Sequence, residues 1–361
     1  MNGLLRFLPA PPSGKTGWPW DIETVPVTYS AQSEWPRVCI VTPSFNQGAF
    51  VEETIRSVLL QNYPNLQYLV IDGGSTDGTV ELIKKYSPWL DYWVSEPDRG
   101  QSHAINKGLA RCDGCWFNWI NSDDCLLSGG LAAIGRARQT CIILSAAELT
   151  GTDLHDPRPL GRTQIGPTLE DTLVRHYICQ QGLFFRTDEV RALHGVREDL
   201  HYVMDLELLM RLLLRHGLQC VTEIPEEIAF FRLHNKAKTL TAKDKFIEEE
   251  RALFHDLARV LGLSPQLLRH MGGAMTPAGR WPDVSRLNSP RLSCLLAEKF
   301  WWNGPVERAW RLREFATFKS EIRSYLLAFP DETTERVAKL RRMSQLPQFL
   351  LHLLSLLRAN T

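Results

Sequence analysis

Residues 37–74 read RVCIVTPSFNQGAFVEETIRSVLLQNYPNLQYLVIDGG, and their pattern decides the fold. Val38 to Val41 is a short apolar run rich in β-branched residues, the mark of a strand buried on both faces. From Phe50 to Asn62 the apolar residues Val51, Ile55, Val58 and Leu59 recur at helical spacing. Tyr63-Pro64-Asn65 ends that helix, because proline cannot continue it. Tyr68 to Ile71 is a second apolar run, closing on Asp72-Gly73-Gly74-Ser75. Strand, helix and strand with short connections make a βαβ unit, in which the strands lie parallel.

The pattern repeats downstream. Thr76 to Thr79 opens a helix that runs through Tyr86, with polar residues able to cap its start. Tyr92 to Val94 is a third strand, Gln101 to Arg111 a third helix and Trp116 to Ile120 a fourth strand. This alternation predicts an α/β fold built on a doubly wound, mostly parallel sheet. Cys141 to Leu144 reads as a further strand, and residues 150–170 read as loops because Pro157, Pro159, Gly161, Gly166 and Pro167 interrupt every period. Ile178 to Arg186 follows, then a helix from Tyr202 to Leu214 and a strand-like run from Ile228 to Leu233.

Both ends differ from this centre. Residues 1–36 are an irregular arm, since Pro9, Pro11, Pro12, Pro19, Pro26 and Pro36 exclude long helices, while Trp18, Trp20 and Trp35 predict that it packs onto the body. Residues 241–361 form a helical extension: Lys243 to Leu261, Cys294 to Lys299, Val306 to Leu327 and Thr333 to Arg342 carry helical patterns, with Gly272 to Pro290 as a linker. The Leu-dense run from Pro347 to Leu357 has two readings. It packs on the body or on a second copy, making a homodimer, or it rests on a membrane surface with Arg341, Arg342 and Arg358 beside it. The expected organisation is therefore an arm (1–36), a central domain (37–240, divided at 130/131) and a helical region (241–361).

The 361 residues carry 41 Lys+Arg and 41 Asp+Glu, so the formal net charge is zero. That balance argues against a nucleic-acid binder, which needs a basic excess for phosphates. No apolar run is long enough to span a bilayer, and Arg6 and Pro9 break the one apolar stretch at the N-terminus, so a cytoplasmic protein is expected. Eight cysteines are too few for a disulfide scaffold and read as small buried hydrophobes. Cys112-Asp-Gly-Cys115 lacks the second pair that a structural zinc site requires, and reads as a turn between helix and strand.

In open sheets of this kind ligands bind beyond the carboxyl ends of the strands. Those ends carry Thr42-Pro43-Ser44-Phe45-Asn46, Asp72-Gly73-Gly74-Ser75, Ser95-Glu96-Pro97-Asp98-Arg99-Gly100 and Asn121-Ser122-Asp123-Asp124. Polar and acidic groups from distant segments thus converge on one edge. Paired carboxylates suit a hard divalent cation that shares its oxygen shell with phosphates. There is no GxxxxGK[ST], which counts against a P-loop, and no GxGxxG after the first strand, which counts against a dinucleotide site.

In this order and spacing the four blocks resemble family 2 glycosyltransferases, and the resemblance covers about residues 37–235. It implies a GT-A fold, Rossmann-like, with a nucleoside-diphosphate-sugar donor (a UDP-sugar favoured), a divalent cation (Mn²⁺ or Mg²⁺), and an inverting single displacement onto an acceptor hydroxyl. The acceptor class it implies is a saccharide or a lipid-linked sugar, in surface polysaccharide or glycolipid assembly. By position, Thr42, Pro43, Ser44 and Asn46 line the nucleoside pocket, with Asp72 near base or ribose. Asp98 and Arg99 lie by the donor, Lys107 reaches phosphate, and Gln180, Gln181 and Gly182 back the donor sugar. Asp123 and Asp124 occupy the DxD-type motif and bind the metal together with His234, while Arg232, Lys236 and Lys238 face the diphosphate. His103 lines the substrate. Gly73 stands where many members carry a second acid, Asn121 at the first position of the DxD, and Met204 where an acid usually precedes the catalytic one.

An inverting transfer needs one base for the acceptor hydroxyl. On the Tyr202–Leu214 helix Val203, Leu206, Met210 and Leu213 form the apolar stripe, and Asp205 and Glu207 flank it on opposite sides. The resemblance places Asp205 at the catalytic position. A nucleotidyltransferase would need a Gly- and Lys-rich first loop, which Thr42 to Gln47 lacks; a non-catalytic binding or scaffold protein on the same fold is the remaining alternative.

Overall fold

The computed structural model describes residues 3–30, 34–137, 140–272, 281–329, 335–348, 350–351 and 354. In chain order the elements are β1 (Val38–Ser44), α1 (Val51–Leu59), β2 (Leu66–Asp72), α2 (Thr79–Tyr86), β3 (Tyr92–Ser95), α3 (Gln101–Leu109), β4 (Trp116–Trp119), β5 (Cys125–Leu126) and α4 (Gly130–Arg136). There follow β6 (Ile143–Gly151), β7 (Arg158–Gly161), α5 (Leu169–Val174), β8 (Leu183–Arg186), α6 (Thr187–Ala192), α7 (Met204–His216), β9 (Val221–Arg232) and α8 (Lys238–Thr241). The remainder is helical: α9 (Lys243–Val260), α10 (Pro265–Met271), α11 (Ser289–Leu296), a π-helical stretch (Ala297–Val306), α12 (Glu307–Arg311), α13 (Phe315–Ala328) and α14 (Glu335–Gln345). Two compact units result, Met1–Ile165 with His176–Phe246, and Gly166–Arg175 with Ile247–Thr361.

The first unit is a mixed sheet in the order β3-β2-β1-β4-β8-β6-β9-β5, with β7 on β6. β3, β2, β1 and β4 are parallel. Every residue of β1 is buried, as the β-branched run predicts for a strand covered on both faces. Register sets the site: Ser44 lies opposite Asp72, and Asp72 opposite Ser95, so three strands end level. β8 joins β4 and β6 antiparallel, and β6 lies parallel to β9.

Residues 150–170 are not all loop. β6 extends to Gly151, and Arg158–Gly161 pairs with it antiparallel. Pro159 is tolerated because β7 is an edge strand, where a missing donor breaks no ladder. The cysteine reading also changes. Cys112 pairs with Cys39 in a disulfide that ties β1 to the end of α3, and Cys115 is a free, exposed thiol.

The N-terminal arm packs as its tryptophans predict. Trp20 and Trp35 are buried, and the Trp18 indole donates to Leu126 O at 2.8 Å. Arg56 on α1 is fully buried and donates to three arm carbonyls, Pro9 O at 2.9 Å, Pro19 O at 3.0 Å and Trp20 O at 2.6 Å.

In the second unit Thr168 caps α5 by accepting from the Asp171 amide, and Asp171 pairs with Arg291 on α11. The helix expected over Val306–Leu327 is two helices, α12 and α13, with Arg313 between them at φ 59°. Among the described residues no helix is long and apolar enough to cross a membrane. Residues 273–280 of the linker, Thr333 and Thr334 of the last helix, and 349, 352, 353 and 355–357 of the Leu-dense run lie outside the described residues.

Candidate active site

The level strand ends open into a cleft of about 610 Å³. Its walls come from the end of β1 (Pro43, Ser44, Phe45), the end of β2 (Gly73), the loop after β3 (Pro97, Asp98), the start of α3 (Gln101), the loop before β5 (Asn121–Asp124) and the segment after β9 (Lys236–Thr239). Four of the acidic and hydroxyl candidates read from the sequence line it.

Ser44 Oγ is buried and has no hydrogen-bond partner among the described residues. Such an orphan beside a cavity marks a position that a ligand can satisfy. Asp98 uses Oδ1 to accept the Gly100 amide at 2.8 Å, and among the described residues no donor meets its Oδ2. Asp123 Oδ2 lies 2.9 Å from His234 Nε2, and the His234 ring packs on Phe50 with centroids 4.7 Å apart. The fourth is Asp124, whose place differs from its neighbour's.

Asp124 is 1% exposed, and its carboxylate is fully engaged. Oδ1 accepts the Arg232 amide at 2.9 Å; Oδ2 accepts Gln181 Nε2 at 2.6 Å and Asn121 Nδ2 at 3.0 Å. Burial pushes its pKa up to about 7, with the charge of Asp123 adding to the effect and these three donors opposing it. The two aspartates therefore divide the work, Asp123 facing the cleft and Asp124 bracing the loop behind it. Asn121 completes the brace by accepting Gln101 Nε2 at 2.7 Å, and Gln101 accepts Lys238 Nζ at 2.9 Å. An amide is required at 121, because it must accept on one side and donate to a carboxylate on the other.

Other residues read from the sequence hold the site rather than line it. Thr42 is fully buried and shares a hydrogen bond with Tyr68. Asp72 is fully buried and accepts from the amides of Gly74 and Ser75 and the hydroxyls of Ser75 and Ser95, which fixes the turn after β2. Asn46, at φ 53°, accepts the Thr76 amide at 2.9 Å and so links the loops after β1 and β2. Arg99 points outward into an ion pair with Glu198. Lys107 is paired with Glu96 at 2.9 Å, and His103 accepts the Arg99 amide at 3.1 Å. Gln181 lies behind Asp124, and Gln180 behind it donates to Asn118 and Trp119 O. The Arg232 guanidinium is committed to Glu53 at 3.0 Å and Asp123 O at 2.9 Å, and Lys236 and Lys238 also line the cleft.

On α7 the two flanking acids separate. Glu207 is fully buried against Arg211 at 2.7 Å, and Arg211 donates to Leu193 O and Gly195 O, so this pair anchors the loop before the helix. Asp205 is half-buried in the first turn, outside the cleft wall, with Oδ1 accepting the Leu206 amide at 2.8 Å.

Sequence reading passed over three groups. Phe45 is 59% exposed at the cleft and offers a ring face; Gln101 joins the braces; Glu148, on β6, is buried behind Gln181. An apolar residue left exposed at a ligand edge was the signal for Phe45. Glu148 gave none, because its partners are distant in sequence.

Comparison with known proteins fits this geometry. Residues 39–134 match the family model described as glycosyl transferase family 2. Over that segment the chain is similar to the family. An uncharacterized glycosyltransferase of Mycobacterium tuberculosis is 38% identical over 90 residues, 25% of this chain and 34% of its own. TuaG of Bacillus subtilis, provisionally named a teichuronic acid biosynthesis glycosyltransferase, is 34% identical over 93 residues, 25% of this chain and 36% of its own. The chain thus spans about a third of the length of these relatives. Among solved structures, S. aureus TarS 1-349 in complex with UDP-GlcNAc covers 84% of this chain and 83% of its own at TM-score 0.53 and 15% identity. At that identity the likeness is one of fold, and the fold is the α/β, Rossmann-like GT-A class with a helical C-terminal region.

Proposed function

We propose that this protein is an inverting glycosyltransferase that moves a sugar from a nucleoside diphosphate to an acceptor hydroxyl. The observation that carries this reading is the pairing of Asp123 with His234 at a cleft that also holds the open oxygens of Ser44 and Asp98. Phe45 offers the base a stacking face, and Lys236 and Lys238 stand where diphosphate charge develops. TarS, solved with UDP-GlcNAc, supports a UDP-sugar donor, and TuaG, named for teichuronic acid biosynthesis, supports a saccharide acceptor. The protein's place is the cytoplasm or the inner face of a membrane.

The donor set fits a divalent cation of the Mg²⁺ or Mn²⁺ type. Among the described residues no cluster of three or more ligands exists, and Asp123 and His234 are the two that meet. Such cations take one or two protein ligands and complete their shell with phosphate and water. Asp123 and His234 would hold it, with Asp124 fixing the loop; bound, it supplies charge neutralisation for the departing diphosphate. Asp205 takes the acceptor proton as the hydroxyl oxygen bonds to the anomeric carbon and the carbon–oxygen bond to the diphosphate breaks.

The test is binding of UDP, dTDP, GDP, CDP and ADP with Mn²⁺, Mg²⁺ or EDTA, on wild type and Asp123→Asn. Metal-dependent binding of one base, lost in the variant, is the expected result. Transfer from the matching sugar nucleotide then falls about 10²- to 10⁴-fold in Asp205→Asn with nucleotide binding kept. A folded wild type that binds no nucleotide overturns the reading.

A further inference from the structure

Glu148 is a carboxyl group that the transfer chemistry above does not use. It is 1% exposed. Oε1 accepts the Gly182 amide at 2.6 Å, and Oε2 is buried with no hydrogen-bond partner among the described residues. The strand is shaped around it: β6 shifts register against β9 between Ala147 and Glu148, and against β7 between Glu148 and Leu149. Bulges of this kind re-aim a side chain, and they cluster next to active sites.

The turn that Glu148 holds leads to the cleft. The Gly182 carbonyl accepts the Ala146 amide at 2.9 Å, and a Cβ on residue 182 would lie 2.5 Å from Ala146 O, so the turn can sit here only with glycine. Gln181 O accepts Asn118 Nδ2 at 2.9 Å, while the Gln181 side chain reaches Asp124. From Asp124 the bonds continue through Asn121 and Gln101 to Lys238 at the rim.

Charge decides the state of Glu148. Asp124 from the loop before β5 and Asp205 from α7 both act on it, and Tyr177 and Cys179 are the titratable groups ahead of β8 that face it. Across the ladder its β9 partner is the uncharged Ala229. No cation reaches either oxygen among the described residues. A buried carboxylate met only by backbone amides, beside two aspartates, is costly, and protonation removes its charge.

We propose that Glu148 is a positioning residue that works as a neutral carboxylic acid: it fixes the Gln181–Gly182 turn that aims Gln181 at Asp124, and leaves the negative charge here to the aspartates. The proposal rests on the transferase reading and adds to it. Burial pushes the Glu148 pKa up to about 8, with the Gly182 and Gln181 amides opposing and Asp124 and Asp205 adding to the rise. The neutral form therefore holds at pH 7, and it is lost as pH rises through that value.

The experiment uses the full chain with UDP, dTDP, GDP, CDP and ADP in Mn²⁺, from pH 6 to 9, on wild type, E148Q and E148L. E148Q keeps an oxygen for the Gly182 amide and stays neutral, so it binds as wild type at pH 7 and loses less affinity than wild type toward pH 9. E148L leaves that amide unpaired and weakens binding about tenfold while circular dichroism shows it folded. Infrared spectra of the ligand-free protein show protonated-carboxyl absorption at pH 7, of which E148Q removes the Glu148 component and leaves that of Asp124. Wild-type affinity in E148L, an equal pH dependence in E148Q, or no such Glu148 component overturns the proposal, and that component keeps it testable where E148L does not fold. Wild type that binds none of the nucleotides, with the component present, fails the transferase reading and with it any role for Glu148 in transfer.

Discussion

The Asp98 carboxylate occupies the space that a side chain on residue 73 would need. A Cβ on Gly73 would lie 2.8 Å from Asp98 Oδ2, inside any real contact. Asp98 thus fills the space beside Gly73 where a side chain at that position would stand.

Substitution at either residue tests this. Gly73→Ala pushes Oδ2 aside and lowers nucleotide affinity about tenfold, with little change in Tm. Asp98→Asn acts differently. The Gly100 amide still needs an oxygen, so the new –NH₂ turns to the cleft where an acceptor stood. A base that presents a ring N–H, as uracil and guanine do, loses most. Calorimetric titration of both variants with UDP, GDP and CDP reads the change; equal affinities across the panel refute it.

Asn121→Asp is not a neutral restoration of an acidic motif. It sets a carboxylate 3.0 Å from Asp124 Oδ2, where an amide now donates. Like charges at that distance in a buried site repel strongly. The variant unfolds at lower temperature at pH 8 than at pH 6 by more than wild type does, as a thermal melt at both pH values shows.

Stability itself should fall as pH rises above neutrality. A carboxyl whose pKa is raised on folding binds more protons folded than unfolded. Its contribution is fully present below the unfolded value of about 4 and is lost as pH climbs through the folded one. For Asp124 that is about 7 and for Glu148 about 8. Tm is therefore lower at pH 9 than at pH 6, and the drop is smaller in E148Q. A flat profile from pH 6 to 9 contradicts both shifts.

Arg56 stitches the arm to the body. In Arg56→Ala two buried carbonyls, the part-buried Pro9 carbonyl and the Tyr86 hydroxyl lose a donor. At about 1–3 kcal/mol for each buried group left unpaired, the loss reaches about 3 kcal/mol or more. Urea unfolding measures it, and limited proteolysis shows whether the arm detaches first.

The sequence by itself determined the parallel half of the sheet and the four loops at its edge. Burial on both faces forces a β-branched run, a helix face forces its 3.6-residue spacing, and a strand end is legible from the turn residues after it. These are local constraints, readable one segment at a time. Ser44, Asp98 and Asp123 were found this way, and they face the cleft.

Only the tertiary structure decided which polar residues at that edge are free to meet a ligand. Asp72 and Asp123 look alike in the sequence. One is consumed by its own turn; the other meets a histidine 111 residues away. Asp124 is braced by Gln181, 57 residues on, and by the Arg232 amide, 108 on. Glu148 and the Cys39–Cys112 pair were silent for the same reason. A polar side chain's role is set by its hydrogen-bond partners, and those come from strands that the chain brings together only on folding.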